Sequence, residues 1–128
     1  MGEPDRIELR GLRVLGICGA LAEERDRLQP LEIDLDVEAD LARPGRSDAL
    51  ADTVDYGAVA RAAARVAGEE RFTLLEGLAE RIIQEVGVLS GVTAVTVAVR
   101  KLRPPVPLDL ATAGVRLSRV SPRRLPGG

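Results

Sequence analysis

The sequence contains no histidine. That removes the commonest general base, the commonest zinc ligand and every histidine-dependent catalytic triad. Its one cysteine, Cys18, excludes an internal disulfide and any multi-cysteine metal site. No metal is therefore expected. Aromatic residues make up 2 % of the chain against 45 % hydrophobic residues in all, so the core must be built from Val, Leu, Ile and Ala. A net charge of −2 gives no basic footprint for nucleic acid. No run of about 18 apolar residues is present to span a membrane, and no signal-peptide pattern opens the chain. A soluble, cytoplasmic protein is expected. No G-x-G-x-x-G loop occurs, and "GICG" (16–19) is too short and wrongly placed to cradle a phosphate, so no cofactor is expected either.

Lysine is nearly absent as well. Of 18 basic residues, all but Lys101 are arginine. Arginine keeps its proton near neutral pH and lysine can release it, so the surviving lysine is a candidate for acid/base work. The competing reading is a solvated strand end. There is also a single tyrosine, Tyr56.

The 128 residues suit one ordinary domain spanning the whole chain, with a core over about 5–120 and a frayed tail at 121–128. Residues 6–17 read as a strand whose apolar phase switches at Gly11, where a bulge is expected. Residues 31–41 alternate without a fault: Leu31, Ile33, Leu35, Val37, Ala39 and Leu41 face one way, and Glu32, Asp34, Asp36, Glu38 and Asp40 the other. Carboxylates so placed repel one another. Neighbouring strands should supply cations: Arg10, Arg100 and Arg116 have the right phase to approach Asp34, Asp36 and Glu38, with basic groups of another subunit as the alternative.

Residues 42–53 read as a loop marked by Pro44 and Gly45. Asp55 can cap a helix from about Tyr56 to Ala67 that ends at Gly68, and a second helix runs from about Thr73 to Val88. Val92–Arg100 and residues 113–120 are strands, separated by a segment whose Pro104, Pro105 and Pro107 cannot donate to a ladder. The order predicts an α+β fold: a four-stranded antiparallel sheet with two helices on one face (ββααββ).

In the second helix Leu74, Leu75, Leu78, Ala79 and Ile82 make the apolar stripe, and Glu76 falls on its flank. A boundary glutamate can simply keep its head in water. Another reading comes from four segments taken together: "GICGALAEE" (16–24), "DTVDYG" (52–57), "TLLEGLAERI" (73–82) and "RKLRPPVP" (100–107). In this order and spacing they resemble the dihydroneopterin aldolase family, over about Asp5 to Val120.

The resemblance implies the tunnelling fold, whose subunits join edge to edge into tetrameric rings that stack as a homo-octamer. It implies a metal-independent lyase of tetrahydrofolate biosynthesis. That reaction splits 7,8-dihydroneopterin into 6-hydroxymethyl-7,8-dihydropterin and glycolaldehyde by retro-aldol cleavage, with side-chain epimerisation as a further outcome. Glu76 would then anchor the pterin, whose neighbouring N–H donors a carboxylate accepts together, and Leu75 would add a backbone contact. Thr53 and Val54 would border the ring. Lys101 would be the general acid/base, with Tyr56 acting in proton transfer. Glu24 would contact the substrate side chain, with the adjacent Glu23 as competitor. Cys18 stands where many members carry histidine; here it reads as a buried small hydrophobe. The alternatives are a non-catalytic pterin- or purine-binding ring protein and an epimerase of dihydroneopterin triphosphate.

Overall fold

A computed structural model of the chain describes residues 2–122. In chain order the elements are β1 (Arg6–Cys18), β2 (Gln29–Glu38), a six-residue helix α1 (Ala42–Ser47), α2 (Tyr56–Glu69), a two-residue strand β3 (Arg71–Phe72), α3 (Leu75–Gly87), β4 (Ala94–Lys101) and β5 (Ala113–Val120). The sheet order is β3-β1-β2-β4-β5. Strands β1, β2, β4 and β5 pair antiparallel.

The unbroken alternation of β2 decides the layers. Leu31, Ile33, Leu35 and Val37 are fully buried. They share one core with Val59, Ala63 and Val66 of α2, Leu78, Ile82 and Val86 of α3, and Val95, Val97 and Val99 of β4. In β1 the register shifts between Leu9 and Leu12. Gly11 takes φ +73° there, a conformation glycine adopts without cost. The bulge lets Ile7 and Leu9 on one side of it and Leu12 and Val14 on the other all pack against the same core.

The outer face carries the acidic row. Arg10 Nη2 donates to Asp36 Oδ1 at 2.7 Å, Arg100 Nε to Glu32 Oε1 at 2.8 Å, and Arg100 Nη2 to Asp34 Oδ2 at 2.8 Å. The bulge adds a donor, since Gly11 N lies 2.7 Å from Asp34 Oδ1. Two parts of the expected pairing are not met within one chain. Arg116 is exposed on edge strand β5, one strand beyond β4, and makes no ion pair among the described residues. Glu38 has no cation within pairing distance among them either. Arg13 pairs with Glu32 at 3.1 Å instead, brought opposite it by the shifted register.

Some boundaries differ from the sequence reading. The segment expected as a loop forms α1, because Pro44 falls in its first turn, where no backbone N–H is needed. Helix α2 runs through Gly68 to Glu69; its start is as expected, with Asp55 Oδ1 accepting from Ala58 N at 3.1 Å. Residues 71–72 add a fifth strand parallel to the end of β1, where Gly19 N donates to Phe72 O at 3.0 Å. That pairing keeps the chain extended, so α3 starts at Leu75, and Leu74 is half-exposed instead of facing the core. Ser121 is not frayed: it is buried and donates through Oγ to Gly87 O at 2.7 Å. Residues 123–128 of the expected tail lie outside the described residues.

Candidate active site

Strand β1 ends at Cys18, β2 begins at Gln29 and β4 ends at Lys101, so all three arrive at one end of the sheet; Gln29 pairs with Gly16, and Lys101 with Leu31. Beyond Cys18 the chain turns back through a short 3-10 turn, Ala22–Glu24, which folds Glu24 inward. Glu24 is 3 % exposed, and its Oε2 lies 2.7 Å from Lys101 Nζ. Gly19 makes room, since a Cβ there would overlap the Glu24 side chain. Burial pushes the Glu24 carboxyl up, but hydrogen bonds from Lys101 and Gln29 and the ammonium charge outweigh it. The carboxyl is held below its ordinary value and is ionised at neutral pH. Its sequence neighbour Glu23 is exposed.

The start of α3 lies at the same end. Leu75 and Glu76 open the helix, and β3, just before it, pairs with Ile17 and Cys18. The cap residue, Leu74, has no side chain to satisfy the first N–H groups, so they remain available beside an exposed carboxylate. Cys18 is fully buried; burial pushes its thiol up, modified by the nearby charges of Lys101, Glu24 and Glu76. It is a protonated, small apolar residue, as read from the sequence.

The remaining expected residues are elsewhere. Tyr56 is the first residue of α2, and the C-terminal end of that helix meets the Gly16 end of β1, where a Cβ on Gly16 would overlap Ala67 O. The rise from Ala67 back to Tyr56, about 1.5 Å per residue, puts Tyr56 roughly 16 Å away from there. Thr53 and Val54 line a cleft with Ala39, just past the far end of β2, and with Gly91 beyond α3. With Tyr56, 66 % exposed, they also border a cavity of about 320 Å³. One chain thus brings together Glu24, Leu75, Glu76 and Lys101 and leaves Thr53, Val54 and Tyr56 at the opposite end. A wider cleft of about 610 Å³, lined by Glu3, Asp5, Ala39, Asp40, Val92 and Thr93, contains none of them.

Two residues of the site were not singled out from the sequence. Gly19 was read only as part of "GICG". Gln29 had a legible signal: it shares the phase of Leu31, Ile33, Leu35 and Val37, so a polar side chain there had to be buried and partnered. Its Nε2 lies 2.7 Å from Cys18 O and 3.3 Å from Glu24 Oε2.

A ββααββ scaffold here sets one buried carboxylate against one ammonium at the sheet end where α3 begins, a pair of groups with the chemistry for acid/base work. The chain belongs to the dihydroneopterin aldolase family: the family model FolB, dihydroneopterin aldolase, matches residues 7–118. A dihydroneopterin aldolase of Streptococcus pyogenes serotype M18 is 34 % identical over 116 residues, covering 90 % of this chain and 98 % of the relative. The fold matches that of the Escherichia coli dihydroneopterin aldolase in complex with neopterin, with TM-score 0.82, 24 % identity, and coverage of 90 % of this chain and 98 % of that one. It also matches a Burkholderia thailendensis dihydroneopterin aldolase bound to guanine, with TM-score 0.75, 26 % identity and coverage of 91 % and 90 %.

Proposed function

We propose that the protein cleaves 7,8-dihydroneopterin by a retro-aldol reaction, releasing 6-hydroxymethyl-7,8-dihydropterin and glycolaldehyde. The observation that carries this reading is the buried Glu24–Lys101 pair at 2.7 Å, set at the sheet end where Glu76 and the open start of α3 lie. Family membership gives the substrate class, and the ligands of the two structural relatives, neopterin and guanine, both carry the amino-pyrimidinone edge that a carboxylate such as Glu76 can accept.

Cleavage of a carbon–carbon bond next to a hydroxyl needs an electron sink. A dihydropterin contains one, the ring imine beside its side chain. Protonation of that nitrogen and removal of the departing hydroxyl proton let the bonding pair move into the ring. The hydroxyl carbon becomes the carbonyl of glycolaldehyde, and the enamine left on the pterin is then protonated at carbon. Lys101 is the group that exchanges these protons in this reading, with Tyr56 as its partner in transfer. Glu24 receives the side-chain hydroxyl. Glu76 and the backbone at Leu75 hold the pterin, and Thr53 and Val54 border its ring. Epimerisation at the side chain is the same cleavage followed by re-addition.

In this reading the site is shared between two copies, because Tyr56 lies too far from Lys101 in one chain. Strand β5 offers an eight-residue open edge for such an assembly, and a homo-octamer of two tetrameric rings is the proposed form. Incubation with 7,8-dihydroneopterin and an assay for glycolaldehyde tests the reaction; no aldehyde from the assembled protein overturns it. Mixing separates the arrangements. Lys101→Arg and Tyr56→Phe chains, each inactive alone, regain about a quarter of wild-type activity when co-assembled at random if each site takes one residue from each copy. They regain none if both come from one chain.

A further inference from the structure

Among the described residues Gln29 is the one neutral side chain that bonds the Glu24–Lys101 pair, and the bonding leaves little freedom in how it sits. The residue is 8 % exposed. Both atoms that its terminal group meets, Cys18 O and Glu24 Oε2, are acceptors. Only the NH2 side of the amide can face them, and each of its two hydrogens has one acceptor. The link joins the last residue of β1 to the 3-10 turn that carries Glu24.

On the carboxylate the consequence is asymmetric. Lys101 Nζ and Gln29 Nε2 both converge on Oε2, at 2.7 and 3.3 Å. Oε1 takes no side-chain hydrogen bond among the described residues, and it lies over the bare Cα of Gly19, where a Cβ would overlap it. Without Gln29 the carboxylate would keep the Lys101 ammonium and a backbone hydrogen bond from Leu21 in its own turn, neither of which ties it to β1. With Gln29 bonded to the last residue of β1 as well, the carboxylate is also held from the strand side, with Oε2 on the ammonium.

We propose that Gln29 is a positioning residue: its amide locks Oε2 of Glu24 onto the Lys101 ammonium and so reserves Oε1 for the hydroxyl of the substrate side chain. This rests on the lyase reading above. A fixed carboxylate oxygen supports catalysis because proton removal in the transition state demands a defined distance and direction, whereas ground-state binding tolerates more freedom. The loss of Gln29 should therefore fall on kcat and spare KM. It should also shift a titration. The charged and titratable groups around Glu24 are Lys101 from β4, Cys18 from β1 and, through Cys18, Glu76 from α3. Gln29 stabilises the ionised carboxylate, so its removal raises the pH at which Glu24 ionises.

The experiment compares wild type with Gln29→Met, which fills the space without a donor, and Gln29→Glu, which keeps the shape and adds a repelling charge. Turnover of 7,8-dihydroneopterin is measured across pH, and the Glu24 carboxyl is titrated by carbon-13 NMR in the unliganded protein. The expected result is a kcat lower by about tenfold to hundredfold, the value of one hydrogen bond to a charged group, with KM within a few-fold. The acid limb of the profile and the carboxyl titration should both move to higher pH, further in the Glu variant. An unchanged titration in a folded variant overturns the proposal, whatever the rate does, and so does a loss confined to KM. If Gln29→Met does not fold, Gln29→Glu decides by the same criteria. Absence of turnover in the wild type instead sinks the lyase reading, and the titration then still decides whether Gln29 fixes the carboxylate.

Discussion

Arg100 and Lys101 are neighbours on β4, carry the same charge and point to opposite faces of the sheet. Arg100 turns outward between Glu32 and Asp34, whose oxygens take its planar fork at 2.6–2.8 Å. Lys101 turns inward to one carboxylate, with its side chain 12 % exposed. The outward cation is saturated by two anions and cannot release its proton; it ties β4 to β2 and has no proton chemistry to offer. The inward cation has a single ionic partner among the described residues, stands at the end of its strand beside the start of α3, and belongs to a residue type whose proton can move. In the proposed reading, identical charge on adjacent residues serves architecture on one face and chemistry on the other, and the difference lies in how many anions surround each.

Exchanging the two residue types breaks this comparison most sharply. Lys101→Arg keeps the charge, so assembly and pterin affinity should change little, yet turnover should fall by about 10²–10⁴-fold, the usual contribution of a general acid/base. Arg100→Lys should leave turnover within a few-fold of wild type. Steady-state kinetics on both variants decide the matter. Near-normal turnover in Lys101→Arg would return the lysine to the role of a solvated strand end.

A smaller effect is expected at the start of α3. Glu76→Gln removes a charged acceptor and puts a donor against the pterin's own donors. The loss should be about 1.5–3 kcal/mol, or roughly tenfold to hundredfold in affinity, measured by titration calorimetry with neopterin. Because Glu76 is exposed and makes no side-chain hydrogen bond or ion pair among the described residues, the melting temperature of the variant should match that of wild type. Unchanged affinity would make it an ordinary boundary glutamate.

How much of this was legible differs between the two faces. The alternation of 31–41 fixed the layer order, because a period of two admits only one inward set, and it located the acidic row that Arg10 and Arg100 meet. The Asp55 cap and the Gly11 bulge were legible too, since each depends on a few adjacent residues. What failed depended on distant neighbours. The pairing of 71–72 with β1 is set by Gly19 and Phe72, more than fifty positions apart in sequence, and it moved the start of α3. Arg116 had the right phase but the wrong strand, because phase gives the face and not the distance across the sheet. For the site, the resemblance supplied residue types and their order. It could not supply the separation of Tyr56 from Lys101, which depends on the direction in which α2 crosses the sheet, nor Gln29, whose role exists only once Cys18 and Glu24 have been brought to it.

The outer face should respond to acid more than to any one substitution at neutral pH. Burial pushes the Asp34 carboxyl up, but the Gly11 N–H and Arg100 outweigh it, and its value is held below the ordinary one. Glu32 is held down by hydrogen bonds from Arg100 and Arg13. A carboxyl whose folded value is depressed binds its proton more readily in the unfolded chain. Its contribution to stability is therefore complete above the ordinary carboxylate range and is lost as pH falls through the depressed values. At pH 7 Arg10→Gln removes a pair whose cation is half open to water, so the unfolding free energy should drop by only about 0.2–1 kcal/mol. Arg100→Gln should show its larger effect in acid, moving the acid-unfolding midpoint to higher pH as Asp34 and Glu32 relax toward their ordinary values. Circular dichroism followed from pH 7 downward reads both. An acid midpoint unmoved by Arg100→Gln would mean that the arginine row is solvated decoration, and that the contrast between Arg100 and Lys101 rests on the inner face alone.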